Sequence, residues 1–463
     1  MSWWLEVEYQ LKGIWERIPI IARKPLRRVL TQLFFTTRTP RPPARSDRTS
    51  SDAVLFSPPP GPLPRPGQKE CPLRILVEVP SLDRGGIEEF VASLVWRMDL
   101  TKFSPVVVCT ESGGEIAERC RDAGIPVAVL AGSRRRHYER LLDEHPIDLV
   151  NSHDPHLRLP IAAARGIPVV MVIHNTYSWI GPADRRRLRR GDRFVARYIA
   201  VSSAVKRYAE QVWGLDPDKV ICVNNGIDVS RHQKLLTAPL GVDRRSLGLS
   251  ERDFVFVNTA AIDAPKGQNV ILAALKDLIP KHPEVKVLSV GPVRDEIYFK
   301  RISDRVRRWG LEKHFRFVGF TSEVHDFYRL SDAFLLPSLI EGYSLSLIEA
   351  GFYGLPIIAT RVGGAPDFLE GEPFGLLIDP AYEEISTLGV ARMARHALEE
   401  RPRNTDQLVR AMRDFLDRPN HWKAQGPLGR KKVGASYDIA QTVSRYESLF
   451  LELAGNRIGR HDD

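Results

Sequence analysis

From residue 74 onward the chain alternates short, β-branched apolar runs with polar stretches of helical length, and it does so in two series. Runs at 74–79, 105–109, 126–130, 149–151, 168–173, 198–201 and 220–223 form the first, and runs at 254–258, 285–290, 315–320, 333–336, 356–359 and 375–378 the second. Val, Ile and Leu in near-continuous runs, without polar alternation, predict strands buried on both faces, as in a parallel sheet covered by crossover helices. The pattern predicts an α/β protein of two doubly wound, Rossmann-like domains. They span 73–235 and 236–435, with the join between Asp228 and about Val242, and a C-terminal helix and tail occupy 436–463. Ligands of such sheets bind at the carboxyl ends of the strands, so sites are expected on strand-exit loops facing an interdomain cleft.

The first 72 residues stand apart from this alternation. Trp4, Val7, Leu11, Ile14, Trp15 and Ile18 recur at helical spacing, and Leu26, Val29, Leu30, Leu33 and Phe34 repeat it after Pro25, with Arg23, Lys24, Arg27 and Arg28 around the junction. Residues 1–35 therefore read as an amphipathic basic arm for an anionic membrane surface, through residues 3–35, or for a protein partner. Ten prolines between Pro40 and Pro72 mark 36–72 as a disordered linker. The net charge of +10 is concentrated here: residues 1–70 hold 12 Lys+Arg against 6 Asp+Glu, which is +6, so the body is only mildly basic.

Several classes are excluded on composition. No run approaches the roughly 18–20 apolar residues of a membrane span, and the N-terminus lacks a signal-peptide core. Four cysteines without C-x-x-C spacing speak against a disulfide framework or a zinc site. A cytoplasmic protein is expected, peripheral on the inner face of the membrane if the arm binds lipid. The basic run from Arg185 to Arg190 comes without a recognition motif or interleaved aromatics, so no nucleic acid is expected. It reads as a solvated helix face or as a site for anionic acceptor or lipid headgroups.

Four strand-exit loops carry unusual chemistry. Gly85 and Gly86 follow the first strand, where two glycines let backbone amides approach an anion, or simply make a tight turn. His153 and His174 end neighbouring strands, facing the cleft as hydrogen-bond donors or serving as structural histidines. Lys266 follows the strand at 254–258, where a cation could neutralise a phosphate leaving group or lie on the surface. The fourth loop is the most specific: a strand ending at Ser338, then Glu341, Gly342, Tyr343, Ser344, Leu345 and a helix starting near 344–346. Its amides are expected to form a cradle for a diphosphate at the helix start. Glu341 overhangs that cradle and Glu349 faces back toward it, one carboxylate suited to sugar and the other to ribose hydroxyls. The alternative for Glu349 is a capping box with Ser346.

The Glu341-x7-Glu349 element, Gly354-Leu355-Pro356, Gly363-Gly364, Gly85-Gly86, His153, residues 201–202 and 225–228, and Lys266-Gly267 together resemble the retaining GT-B glycosyltransferases of the family 4 type, from about Arg74 to about Asp379. The segment Tyr437 to Leu453 is similar to the helix that crosses back to the first domain in that fold. The resemblance implies sugar transfer from a nucleotide-diphosphate sugar to an acceptor hydroxyl with retained configuration. The acceptor would be a glycan, either lipid-linked or of the cell envelope. It assigns Glu341 to the donor sugar, Glu349 to the ribose, Lys266 to the diphosphate and His153 to the acceptor side. The amides of Tyr343 to Leu345 would hold phosphate or sugar, and Gly319 would lie near the nucleobase. Gly85, Gly86 and His174 line the phosphate and acceptor loops. No cofactor is implied, and without a D-x-D element at any strand exit no metal is indicated. One departure stands out: Ala260 and Ala261 replace the family's usual Gly-Arg. Arg84 and Arg361 are the sequence candidates for the missing cation. The alternative is a catalytically weak homologue acting as a partner or regulatory subunit.

Overall fold

The computed structural model describes residues 72–130, 134–154 and 159–458. The amphipathic arm and the proline-rich segment through residue 71 lie outside the described residues. In the first sheet β1 (Leu73–Ser81), β2 (Phe103–Ser112), β3 (Val127–Val129), β4 (Leu149–Ser152), β5 (Val169–Ile173), β6 (Arg197–Ala200) and β7 (Val220–Cys222) run in the order β3-β2-β1-β4-β5-β6-β7. In the second, β8 (Phe254–Thr259), β9 (Val285–Val290), β10 (Phe315–Gly319), β11 (Ala333–Leu336), β12 (Ile357–Thr360) and β13 (Gly375–Ile378) run β10-β9-β8-β11-β12-β13. Both sheets are parallel throughout. Their apolar runs are buried, as expected of strands covered by helices on both faces. All thirteen expected strands are present.

Strand order reverses between β1 and β4 in one sheet and between β8 and β11 in the other, and such switch points open the crevices where ligands of doubly wound folds bind. The loops after β8 and β11 carry Lys266 and Glu341, so topology alone brings them together.

The C-terminal helix Ile439–Ile458 returns to the first domain. Its entry is stitched by a parallel bridge between Ile227 and Asp438: Ile227 N donates to Tyr437 O at 2.9 Å, and Ile439 N donates to Ile227 O at 2.8 Å. Tyr446 and Phe450 then bury against Phe90 and Phe103. A second tie runs the other way, where Asp367 of the second domain accepts from Ser203 N at 2.8 Å, at the start of helix Ser203–Tyr208.

Candidate functional site

Glu341 lies on the loop after β11 and is buried, with only 6% of its surface exposed. Its Oε1 accepts from Lys266 Nζ at 2.7 Å and from Ser338 Oγ at 2.8 Å. Lys266 ends a short 3-10 turn, Ala264–Lys266, and Gly267 follows with a left-handed φ of 72°. A Cβ on Gly267 would stand 2.0 Å from Pro337 O, and Leu339 N donates to Pro265 O at 2.7 Å. The two loops are thus locked backbone to backbone, and the cation and carboxylate are held together by the loops rather than by one another.

Just past Glu341 the loop touches the first domain. An added Cβ on Gly342 would sit 1.6 Å from His174 O, so only glycine permits this approach. The turn at Gly363-Gly364 supports the loop from behind, with Gly364 against the Tyr343 ring. That ring is buried beside Tyr437, and burial, then the neighbouring Tyr437, push its phenol well above the usual range. The following helix, Leu345–Phe352, has Ser344 as N-cap, no side-chain cap among the described residues and no acid in its first turn. Its leading amides and dipole are therefore suited to an anion supplied from outside.

The structure corrects two details here. β11 ends at Leu336 rather than at Ser338. The capping box between Ser346 and Glu349 does not form: the helix opens one residue after Ser344, which places Leu347 rather than Glu349 at the third helical position. Ser346 Oγ instead pairs with Ser344 Oγ at 2.8 Å. Glu349 Oε2 accepts from Tyr328 OH at 2.7 Å, and Tyr328 OH also bonds Thr259 Oγ1 at 2.7 Å. His232 Nε2 stands 3.9 Å from Glu349 Oε1, and its Nδ1 lies 3.3 Å from Tyr353 OH. Burial and the Glu349 carboxylate push the Tyr328 phenol well up, while burial, opposed by Glu349, lowers the His232 pKa. Tyr328, Thr259 and His232 escaped the sequence reading because each looks like an ordinary packing or surface position on its own element.

His153 and His174 meet as expected from neighbouring strand ends, but in a closed arrangement. His153 Nδ1 lies 2.8 Å from His174 Nε2, and His153 Nε2 lies 2.8 Å from Asn151 Oδ1. Both rings are buried and flanked by Phe90. Burial pulls the His174 pKa down to about 3 and that of His153 well below the usual range, the latter helped by His174, so both are neutral near pH 7. With both nitrogens engaged, His153 offers none to the cleft in this geometry, and His174 presents its carbonyl to Gly342. Just beyond, Tyr177 holds a φ of 46°, the one positive value at a non-glycine among the described residues.

In the first domain, Gly85 precedes helix Gly86–Arg97. Arg84 pairs with Glu115 and lies over the half-exposed Phe320 ring, 4.5 Å from its centroid, beside Gly319. Arg361 pairs with Glu370. Both sequence candidates for the missing cation are thus bound to carboxylates. In the basic run, Arg185 donates to Ile180 O and Arg189 to Trp213 O, so part of it fixes backbone.

One metal-capable group occurs among the described residues: Glu323, His325 and Asp326 bring ligand atoms within 4.8 Å of one another. Asp326 is already held, accepting from Gly241 N at 2.7 Å and standing 3.6 Å from Arg329. Also among the described residues, no helix is long and apolar enough to cross a membrane.

Comparison with known proteins matches two family models in tandem: "Glycosyltransferase Family 4" over residues 84–231 and "Glycosyl transferases group 1" over residues 242–401. The chain belongs to the GT-B glycosyltransferases. The fold of this GT-B chain is similar to that of the Anabaena protein HepE in complex with UDP and glucose, with a TM-score of 0.69 at 19% identity, covering 82% of this chain and 100% of that one. It is also similar to sucrose-phosphate synthase of Thermosynechococcus elongatus, with a TM-score of 0.66 at 16% identity, covering 83% and 100%. In sequence it is 24% identical over 255 residues to the Escherichia coli UDP-Gal:alpha-D-GlcNAc-diphosphoundecaprenol alpha-1,3-galactosyltransferase, covering 52% of this chain and 64% of the relative. A glycogen synthase of Mycobacterium tuberculosis is 24% identical over 60% of this chain and 66% of its own length. The matches thus span just under two thirds of these relatives.

Proposed function

We propose that this protein is a retaining glycosyltransferase that moves a sugar from a nucleotide-diphosphate sugar to an acceptor hydroxyl on a glycan, lipid-linked or of the cell envelope. One observation carries the reading: a buried carboxylate, Glu341, paired to Lys266 on a loop that runs straight into an uncapped helix start. A donor entering there would place its diphosphate between the helix amides and Lys266, leaving Glu341 to bind sugar hydroxyls. Glu349 and its Tyr328 partner would hold the ribose. The acceptor would enter from the first domain, between the Gly85-Gly86 turn and the His174 loop. The E. coli relative named for a diphosphoundecaprenol-linked substrate supports a lipid-linked acceptor, and the basic arm at residues 3–35 would then hold the enzyme at an anionic membrane surface.

In this mechanism the acceptor oxygen attacks the anomeric carbon from the face the diphosphate is leaving. The departing phosphate oxygen takes the acceptor proton. Catalysis rests on orientation and on fixed charges at the leaving group, with Lys266 and the helix dipole in the place of a bridging metal. The test is to screen nucleoside diphosphates for thermal stabilisation, assay the matching nucleotide sugars for turnover, and read the anomeric configuration of the first-formed product by NMR. An inverted product would refute the retaining mechanism, and no response to any nucleotide would refute the donor site.

A further inference from the structure

We propose that Arg294 supplies the second cation at the leaving diphosphate, in place of the arginine that this chain lacks at Ala261. The inference rests on the donor site proposed above and adds to it a residue that neither the motifs nor the strand-end pattern singles out.

Arg294 leaves the loop after β9, which is fastened to the loop carrying Ala260 and Ala261. Ile262 and Val293 form a parallel bridge, Ile262 N donates to Pro292 O at 2.8 Å, and Arg294 N donates to Ile262 O at 3.1 Å. Gly291 lies so close that an added Cβ would stand 2.2 Å from Ala260 O. The base of the Arg294 side chain is therefore fixed relative to Ala261, one loop over at the same end of the sheet.

Its head crosses the cleft. Arg294 Nη2 donates to Arg84 O at 3.1 Å and would stand 2.8 Å from a Cβ on Gly85, with Glu88 Oε2 flanking the same point. The guanidinium thus lies over the glycine turn of the first domain while anchored in the second. The neighbouring cations are otherwise engaged: Lys266 with Glu341, Arg84 with Glu115 and Arg361 with Glu370. Arg294 gives its hydrogen bond to a neutral carbonyl, and a phosphate oxygen is the stronger acceptor, matched by the guanidinium fork in two-point geometry.

During transfer the bond from the anomeric carbon to the diphosphate oxygen breaks with its electron pair going to that oxygen. The bond from the acceptor oxygen to the anomeric carbon forms, and the acceptor proton passes to the phosphate. Arg294 and Lys266 meet the negative charge gathering on the diphosphate from two sides, one reaching from the loop after β9 and one from the loop after β8.

The test uses the full chain and compares a nucleoside diphosphate with its monophosphate, the base chosen as the one that stabilises the wild type. R294A is expected to lose on the order of tenfold or more in diphosphate affinity, the scale of one charge-assisted contact, with monophosphate affinity and ligand-free melting temperature unchanged. R294A combined with A261R should regain diphosphate affinity, and R294K should fall between R294A and the wild type. Equal diphosphate affinity in R294A and the wild type would overturn the proposal, as would an equal loss for both nucleotides, which points to domain closure instead. Should the double variant fail to fold, the R294K and R294A affinities decide alone. Absence of nucleotide binding by the wild type would overturn the donor site itself, and this inference with it.

Discussion

Lys266 Nζ and Glu341 Oε1 stand 2.7 Å apart, although the two residues are assigned opposite tasks at the donor. The pairing gives a buried carboxylate a cation partner beside the proposed anion site. Donor binding would then reapportion Lys266 between carboxylate and diphosphate.

Lys266→Ala is accordingly expected to lower turnover by about 10²–10³, the usual effect of losing one donor to a developing oxyanion. Glu341→Gln should keep the Ser338 hydrogen bond and the fold while lowering turnover strongly. Steady-state kinetics on both purified variants check this, and wild-type turnover in either would contradict the assignment.

Glu349 and Tyr328 separate binding from stability. Glu349→Ala removes one of the three partners of a buried phenol, the others being Thr259 Oγ1 and, at 3.5 Å, Ser346 O, and should cost about 1–3 kcal/mol of stability, together with a raised donor KM. Tyr328→Phe keeps the carboxylate but frees it to turn, so a smaller rise in KM with unchanged kcat is expected. If denaturant melts show the stability loss while donor KM stays constant in both variants, the pair is structural only.

The architecture was legible in the sequence because buried parallel strands are long apolar runs, and all thirteen stood out for that reason. Glu341, Lys266, Gly342 and the Gly363-Gly364 turn were legible too, since each sits at the end of such a run. Tyr328, Thr259, His232 and Arg294 were not. Thr259 and Arg294 also follow apolar runs, but their residue types did not set them apart there, and for Tyr328 and His232 only tertiary contact shows that they meet Glu349. The Ser346–Glu349 pattern misled for a related reason: S-x-x-E marks a capping box only if the serine opens the helix, and Ser344 does so here. The closed histidine pair was likewise hidden, because strand-end position says nothing of whether two rings satisfy each other.

That histidine pair makes a pH prediction. Both pKa values are lowered by burial, that of His174 to about 3, so the unfolded chain binds more protons than the folded one between that value and about 6.5. Their contribution to stability is complete above pH 6.5 and declines as pH falls, by about 1.4 kcal/mol per pH unit for each histidine. Replacing His174 with Gln removes one titrating group, so the decline in unfolding free energy from pH 7 to pH 5 should be shallower than in the wild type. Identical slopes in urea titrations across that range would contradict the buried neutral pair.

Gly342→Ala tests whether the contact between the domains sets the geometry of the site. The new Cβ would lie 1.6 Å from His174 O and 2.6 Å from His174 C, backbone atoms that cannot rotate away as a side chain would. Either the loop carrying Glu341 retreats or the two domains part. Retreat of the loop would break its backing against Gly363 and Gly364, so parting is the cheaper response. The expected outcome is near-wild-type thermal stability, a larger radius of gyration by small-angle scattering, and turnover lower by about 10², the scale of an ångström-sized misplacement of reacting groups. Gly455→Ala is the control: it lies on the exposed side of helix Ile439–Ile458 with nothing within 4 Å of the added Cβ, so alanine should leave both shape and activity unchanged. A Gly342→Ala variant with wild-type turnover would show that the approach of Gly342 to His174 is not needed for the reaction, and the site would then have to be completed within the second domain alone.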